Sequence, residues 1–332
     1  QTINFTMSWK ELKQQNLADA LASHHKSLEE LDDIHALLDW SRIEHHLQDL
    51  FSSKRGEPAW PPLLMFKIML LQQWYSLSDE GIEKQLARDL LFRRFAGLGL
   101  SDGTPDHTVI WRFHKLIGQK GLSEILFHEV NSQLASHNLI IQTGGVSIID
   151  ASVIEAKNAR PRKDKKGHNT QDPQASYTSK KASDGKQKTT YGYKLHANSD
   201  EDGFVVNYST TPANIHDSKE FKKLLTGQEQ QVYADSAYKS KDHDRHLKAQ
   251  GIDNQIHERA YRNKPLSKEQ KQANTWRSQV RNRVESVFGI LKLHYRATKA
   301  RHLGLMQLNT AMGFALMAYN LKRAAKIQDS CA

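Results

Sequence analysis

The chain has 332 residues, of which 38% are hydrophobic and 25% are charged, a balance that excludes a wholly disordered protein and favours two domains. Its one cysteine, Cys331, excludes an internal disulfide and a metal site built from several cysteines. The longest apolar run, residues 61–75, is interrupted by Lys67 and falls short of the roughly 20 residues that a membrane span needs. We therefore expect a cytoplasmic protein with no membrane partner.

Charge is divided unevenly between the two halves of the chain. Residues 1–150 carry 14 Lys and Arg against 19 Asp and Glu, a net charge of −5, whereas residues 151–332 carry 33 against 18, a net charge of +15. A cationic half of this size favours a polyanionic partner, nucleic acid above all, because clustered cations release the counterions that surround phosphates. A basic surface that serves only solubility is the alternative.

Residues 1–140 are predicted to be helical throughout, with residues 61–75 as a buried helix. The next predicted helix has Ser78 as its N-cap, continues through Leu90 and Leu91, and ends at the glycines that begin with Gly97.

A further helix is predicted to start at Thr104 and Pro105, since proline suits the first helical position. Together with the preceding helix it resembles a helix-turn-helix in which Arg112 and Lys115 face DNA. Helix pairs are common in any bundle, so dimerisation or packing is the alternative role for this domain.

From Gly144 the pattern changes to short β-rich segments that later alternate with helices. Three antiparallel strands followed by alternating helices and strands is the order of a ribonuclease-H-like core. We therefore predict an α/β domain over residues 141–332, with a mixed five-stranded sheet and flanking helices, preceded by an all-α domain over residues 1–140. The predicted strands are residues 146–156, 194–200, 203–213, 230–238 and 254–260, and the predicted helices are 217–227, 240–251 and a final long helix that begins near Arg281.

A basic loop over residues 157–194 is predicted between the first two strands. It carries 11 Lys and Arg against three Asp, with almost no apolar side chain. Because such a segment cannot offset its ordering entropy by burial, we expect it to be mobile alone and to settle against phosphates when DNA binds. A flexible tether is the alternative.

Two aspartates follow apolar runs that are predicted to be buried strands. Asp150 follows Val146, Ile148 and Ile149, and Asp235 follows residues 232–234. In the predicted strand order these two ends are neighbours, where paired carboxylates repel unless a cation lies between them. Mg²⁺ meets that requirement, because it takes oxygen ligands and binds carboxylates together with phosphates. An ordinary turn-forming aspartate is the alternative for each position taken alone.

Glu285 is the one acid among eight basic residues between Lys271 and Arg301. On a helix it shares a face with Arg281 and Lys292, which lie four residues before it and seven after it. This spacing suggests a third metal ligand flanked by two cations that hold phosphates. An intrahelical Arg281–Glu285 salt bridge is the alternative, and it would contribute only a few tenths of a kcal/mol, roughly.

These motifs together resemble the DDE transposases of bacterial insertion sequences, most closely the family named after insertion sequence five. The resemblance covers roughly residues 60–320 and rests on five ordered motifs, which are IIDASVIEA, GYKLH, TPANIHD, YADSAY and RVESVFGILK. It implies that Asp150, Asp235 and Glu285 are the catalytic, metal-binding triad. It also identifies Arg281 and Lys292 with the Arg and Lys of the wider group's Tyr, Arg, Glu, Lys signature. The chain departs from that signature at Ser278, where relatives have the tyrosine.

The resemblance implies two Mg²⁺ ions, with Mn²⁺ as a substitute, that activate a water for cleavage at the element ends and then a 3′-hydroxyl for attack on target DNA. It implies DNA as the partner, a homodimer in the DNA complex and a nucleoid-associated location. A structure-selective nuclease of the same fold and a non-catalytic DNA-binding protein derived from a transposase are the alternatives. Further candidate DNA-binding residues are Arg283, Lys194, Arg112 and Lys115, and candidate supporting residues are His196, His216 and Asp217. The remaining histidines are expected to lie on the solvated surface.

Overall fold

The computed structural model describes residues 25–51, 58–137, 145–160, 162–167, 169–181, 185, 187–260 and 265–331. Contacts between Cα atoms divide the chain into two compact units, one of residues 1–139 with 313–332 and one of residues 140–312. The prediction gave the whole C-terminus to the second domain, whereas these contacts group residues 313–332 with the first unit. No described helix combines the length and the apolar character that a membrane span requires.

The described elements of the first unit are helices. The chain buries α3 on nearly every side, as predicted, with Leu64, Phe66 and Leu70 at 3% exposure or less. The elements are a 3₁₀ turn over Lys26–Glu29 and the helices α1 (Asp32–Ala36), α2 (Trp40–Leu47), α3 (Pro62–Trp74), α4 (Asp79–Arg88), α5 (Leu90–Ala96), α6 (His107–Gln119) and α7 (Leu122–Ser136).

Two helix boundaries differ from the prediction. Ser78 caps the predicted helix, but the helix ends at Arg88 because Asp89 takes an extended conformation and its carboxylate accepts the Leu91 N–H at 2.9 Å. A new helix, α5, therefore begins at Leu90. The following helix, α6, begins after Asp106 rather than at Thr104, because the Asp106 carboxylate accepts the Val109 N–H at 2.8 Å.

Lys67 is a buried cation within α3. It is 8% exposed, its Nζ lies 3.1 Å from His35 Nε2, and it sits 4.4 Å from the centroid of the Trp40 ring. Burial lowers the pKa of Lys67 from 10.5 to about 8, because the charged ammonium loses its hydration.

We expect the stability of the helical unit to rise with pH because of Lys67. The unfolded chain binds more protons than the folded chain between pH 8 and 10.5, so the free energy of unfolding increases across that window. Lys67→Met should remove a rise on the order of 3 kcal/mol. Urea unfolding followed by tryptophan fluorescence measures it, since five of the six tryptophans belong to residues 1–139. If the free energy of unfolding changed with pH in the same way for wild type and for Lys67→Met, the rise could not be assigned to Lys67.

The second unit contains a six-stranded mixed sheet. Its order is β2-β3-β1-β5-β6, and β4 pairs with β3. Strands β2, β4 and β1 are antiparallel to β3, whereas β1, β5 and β6 are parallel. The strands are β1 (Val146–Glu155), β2 (Ser176–Lys181), β3 (Gln187–Ser199), β4 (Val205–Pro212), β5 (Gln231–Ala234) and β6 (Asp253–Ile256).

The helices of this unit lie between and after the parallel strands. Val284, Val287, Phe288 and Leu291 form the buried side of α10, which contacts β1 and β5. The helix starts 13 residues before the predicted start at Arg281, and a second long helix that was not predicted follows it. The helices of this unit are α8 (Phe221–Leu224), α9 (Lys241–Ala249) and α10 (Lys268–His294), with 3₁₀ turns at Asp217–Lys219 and Ser236–Tyr238. The next helix, α11 (Leu305–Cys331), begins in this unit, and its residues from 313 onward are grouped with the first unit.

The predicted basic loop contains regular structure, which corrects the expectation of a mobile segment. Strand β2 and the first half of β3 lie within it and pair with each other. Asp172 anchors the preceding part, since it is 3% exposed, its carboxylate accepts the Tyr193 hydroxyl and the Gly304 N–H, and its carbonyl accepts the Tyr191 hydroxyl. Two buried tyrosines therefore supply the ordering energy that the lysine-rich composition alone does not indicate.

Candidate active site

The parallel pairing of β1, β5 and β6 ends at one level of the sheet. Ile149 of β1 pairs with Ala234 of β5, which pairs with Ile256 of β6. The next residues along these strands are Asp150, Asp235 and His257. Adjacent strands are about 4.8 Å apart, so the two aspartates are neighbours, as the sequence predicted.

Local hydrogen bonds hold both aspartates. The Asp150 Oδ1 atom accepts the N–H of Ala151 at 2.8 Å. Asp235 caps the 3₁₀ turn Ser236–Tyr238, and its Oδ1 accepts the N–H of Ala237 at 2.8 Å. One oxygen of each carboxylate accepts a backbone N–H. These hydrogen bonds restrict the orientation of both side chains.

Arg281 supplies positive charge to this strand edge. Its Nη2 lies 3.4 Å from Asp150 Oδ2, and the two side chains are only 11% and 21% exposed. The guanidinium thus turns toward the sheet, and no Arg281–Glu285 ion pair occurs among the described contacts. Among the described residues, α10 therefore does not form the Arg281–Glu285 salt bridge that was the alternative.

Glu285 lies one turn after Arg281 on α10 and is exposed. Its carboxylate has no hydrogen bond or ion pair with the described residues. In the described part of the chain, no three or more His, Cys, Asp or Glu side chains form a group arranged to hold a metal ion. The donor chemistry of Asp150 and Asp235 nevertheless suits Mg²⁺, which prefers carboxylate oxygens.

Two groups beside the aspartates escaped the sequence prediction. The Tyr238 hydroxyl is buried with no hydrogen-bond partner in the described residues, and burial, followed by the charges of Asp217, Asp150 and Asp235, raises its pKa well above the usual value. This phenol therefore stays protonated and can donate a hydrogen bond.

His257 is the second of these groups. Its Nε2 is buried with no partner among the described side chains. Burial, followed by the Arg281 charge, lowers the pKa of His257 from its ordinary value, which favours the neutral imidazole. The sequence signal was available, because His257 directly follows Ile256 at the end of β6, just as Asp235 directly follows Ala234 at the end of β5.

Lys194 forms an ion pair with Asp217, one of the predicted supporting residues. The Lys194 Nζ lies 2.7 Å from both Asp217 Oδ1 and the Ile215 carbonyl, and Lys194 is 6% exposed. The predicted contact of Lys194 with DNA is thus not supported, because an internal carboxylate already binds its ammonium. Its position on β3, in a strand flanked on both edges, explains the burial.

The two predicted supporting histidines have structural partners. His196 is fully buried, its Nε2 lies 2.8 Å from Thr211 Oγ1, and burial lowers its pKa to about 4. His216 is exposed and its Nδ1 accepts the Ser218 N–H at 3.3 Å as a cap. The expectation of a solvated surface fails for His114, which is 3% exposed, and for His243, which is 6% exposed and stacks on Phe221 at 4.4 Å.

The other predicted DNA-binding residues lie on the helices. Arg283 and Lys292 are exposed on α10. In the helical unit, Arg112 is exposed on α6 and lines a cleft of about 280 Å³, while the Lys115 Nζ lies 5.3 Å from the Trp111 ring centroid. These four cations are therefore accessible or half-accessible to a partner.

Comparisons with known proteins find two family models that match this chain. Residues 15–116 match the family described as "Transposase domain (DUF772)", and residues 142–321 match the family described as "Transposase DDE domain". Two solved structures are also similar, described as the Mos1 strand transfer complex (9% identity) and a pre-cleavage Mos1 transpososome (11% identity). Each match covers 86% of this chain and 84% of the other, with a TM-score of 0.21. The match to the DDE model covers more than half of the residues of this chain, so the chain belongs to the transposase DDE domain family.

Proposed function

We propose that this chain is an insertion-sequence transposase of the family named after insertion sequence five. It binds the terminal inverted repeats, cleaves the DNA strands and joins the 3′-hydroxyl ends to target DNA by two-metal phosphoryl transfer. The observation that carries the proposal is that Asp150 and Asp235 directly follow the last paired residues of two neighbouring parallel strands, with the Arg281 guanidinium beside Asp150. Membership of the transposase DDE domain family supports it.

Asp150 and Asp235, joined by Glu285 from α10, would hold the divalent ions. Bound ions of this kind supply Lewis-acid activation of a water or a 3′-hydroxyl for in-line attack at phosphorus. Arg281 orients Asp150 and adds positive charge that favours an approaching phosphodiester. The protonated Tyr238 hydroxyl is available to donate a hydrogen bond within the site, and the lowered pKa of His257 favours a neutral imidazole near Arg281.

The strand order also supports a ribonuclease-H-like core for the catalytic domain. Strands β4, β3 and β1 form the antiparallel half, and β1, β5 and β6 form the parallel half. For the helical unit we propose DNA binding through Arg112 and Lys115. We also propose a homodimer in the DNA complex, because joining two element ends requires two active sites.

The test is a transposition reaction in solution. The protein is incubated with Mg²⁺, target plasmid and duplexes of the genomic DNA that flanks its coding sequence, and the products are sequenced. We expect donor ends joined to target DNA through their 3′-hydroxyls. Cutting without joining would identify a nuclease, and binding without cutting would identify a DNA-binding protein, so either result would overturn the proposal.

A further inference from the structure

A groove of about 560 Å³ lies in the sheet-containing unit, beside the end of β1. Its lining residues come from the end of β1, the β2–β3 hairpin and the C-terminal part of α10. We call it the hairpin groove. The residues that decide its chemistry are Glu155, Arg160, Thr178, Lys188, Lys292 and Thr298.

The groove forms because the segment that follows α10 makes backbone hydrogen bonds with the end of β1. The Glu155 N–H donates to the Thr298 carbonyl at 2.9 Å, and the Ala300 N–H donates to the Glu155 carbonyl at 2.7 Å. Val287 and Leu291 of α10 are buried and pack this helix against the rest of the sheet-containing unit. These backbone and apolar contacts fix the end of α10, and with it Lys292, at the side of the groove.

The lining is cationic. Arg160, Lys188 and Lys292 are exposed, and none of them makes an ion pair or a hydrogen bond with the described residues. Glu155 is the one acid that lines the groove, so the lining carries a surplus of positive charge. Threonine side chains beside these cations, including Thr178 and Thr298, add hydroxyl donors. Cations and hydroxyls of this kind are the groups that bind phosphate oxygens of nucleic acids.

We propose that the hairpin groove binds the sugar-phosphate backbone of the DNA strand next to the cleavage site, an inference that rests on the proposed function. Lys292 follows Glu285 by seven residues, about 10.5 Å along the axis of α10. That length equals about three nucleotides at 3.4 Å per step. Each exposed cation binds a phosphate only weakly, because water screens the pair, whereas a polyanion that crosses the groove contacts several of these cations together.

The first test measures how salt weakens DNA binding. The double variant Arg160→Gln with Lys188→Gln is compared with a matched control, Lys219→Gln with Lys248→Gln, which removes the same charge from exposed positions outside the groove. A random-sequence duplex is the probe. The slope of log affinity against log salt should become shallower by about 2 for the groove variant, since each phosphate contact contributes about 1.

The control variant should keep the wild-type slope. An unchanged slope in the groove variant, or an equal change in both variants, would overturn the proposal, because binding would then depend on overall charge alone. A protein that neither cuts nor joins DNA can still give a slope of log affinity against log salt that is shallower for the groove variant than for wild type. In that case the proposed function fails and the groove remains a nucleic-acid site.

The second test maps the position of the groove on the DNA. Flanking genomic duplexes with single ethylated phosphates are bound by wild type and by the groove variant. We expect ethylation about three nucleotides from the cut to weaken wild-type binding at least several-fold and to leave the groove variant unaffected. Equal sensitivity of both proteins at that phosphate would exclude the hairpin groove as its binding site.

Discussion

Asp235→Asn is expected to abolish DNA strand cleavage, with a loss of about a thousandfold or more, while DNA binding persists. The amide keeps the shape of the side chain and can still accept the Ala237 N–H, but it removes the charge that would hold a divalent ion. Loss of several kcal/mol of transition-state stabilisation corresponds to about that factor. Cleavage of labelled flanking duplexes in Mg²⁺ measures the rate, and gel mobility measures binding.

Asp150→Asn and Glu285→Gln should give the same result, because all three carboxylates are proposed ligands. Asp235 is the cleanest position, since Asp150 also pairs with Arg281. The matched controls are Asp202→Asn in the β3–β4 turn and Glu269→Gln at the start of α10, both of which should cut normally. Mg²⁺-dependent cutting by any one of the three active-site variants would refute the proposed triad.

The sequence predicted elements best where an apolar run ended in a polar residue. The Asp235 turn was located in this way, since β5 ends at Ala234, directly before that aspartate. Strand β1 was located from its apolar run, and it continues past Asp150 to Glu155. The break at Asp89 was missed, since the helical spacing continues through it and only the side-chain cap reveals the new helix. Strand β2 was missed because a lysine-rich segment gives no apolar alternation.

Only part of the candidate site could be predicted from the sequence. The positions of Asp150 and Asp235 follow from strand order alone. The direction of a long side chain does not, because it depends on tertiary neighbours. Lys194 points to Asp217 and Arg281 to Asp150, although both were assigned to DNA from their position along the chain.

Gly192 in the GYKLH motif is a position where the fold requires the absence of a side chain. It pairs with Glu155 of β1 and with Ser176 of β2. A Cβ atom built at Gly192 would lie 2.1 Å from the Ile154 carbonyl oxygen and 2.9 Å from the Ala156 nitrogen. Both atoms belong to the backbone, so no side-chain rotation can relieve the overlap.

We therefore expect Gly192→Ala to lower the free energy of unfolding of the sheet-containing unit by about 3 kcal/mol or more, since β1 and β3 must separate to admit the methyl group. Gly289→Ala is the matched control, because a Cβ there meets no atom within 4 Å and alanine favours the helix by up to about 1 kcal/mol. Urea unfolding followed by circular dichroism measures both variants, and hydrogen exchange of the β1 and β3 amides locates the effect. A Gly192→Ala protein as stable as wild type would mean that the two strands do not approach each other this closely at the end of β1, and the hairpin groove beside them would lose its structural basis.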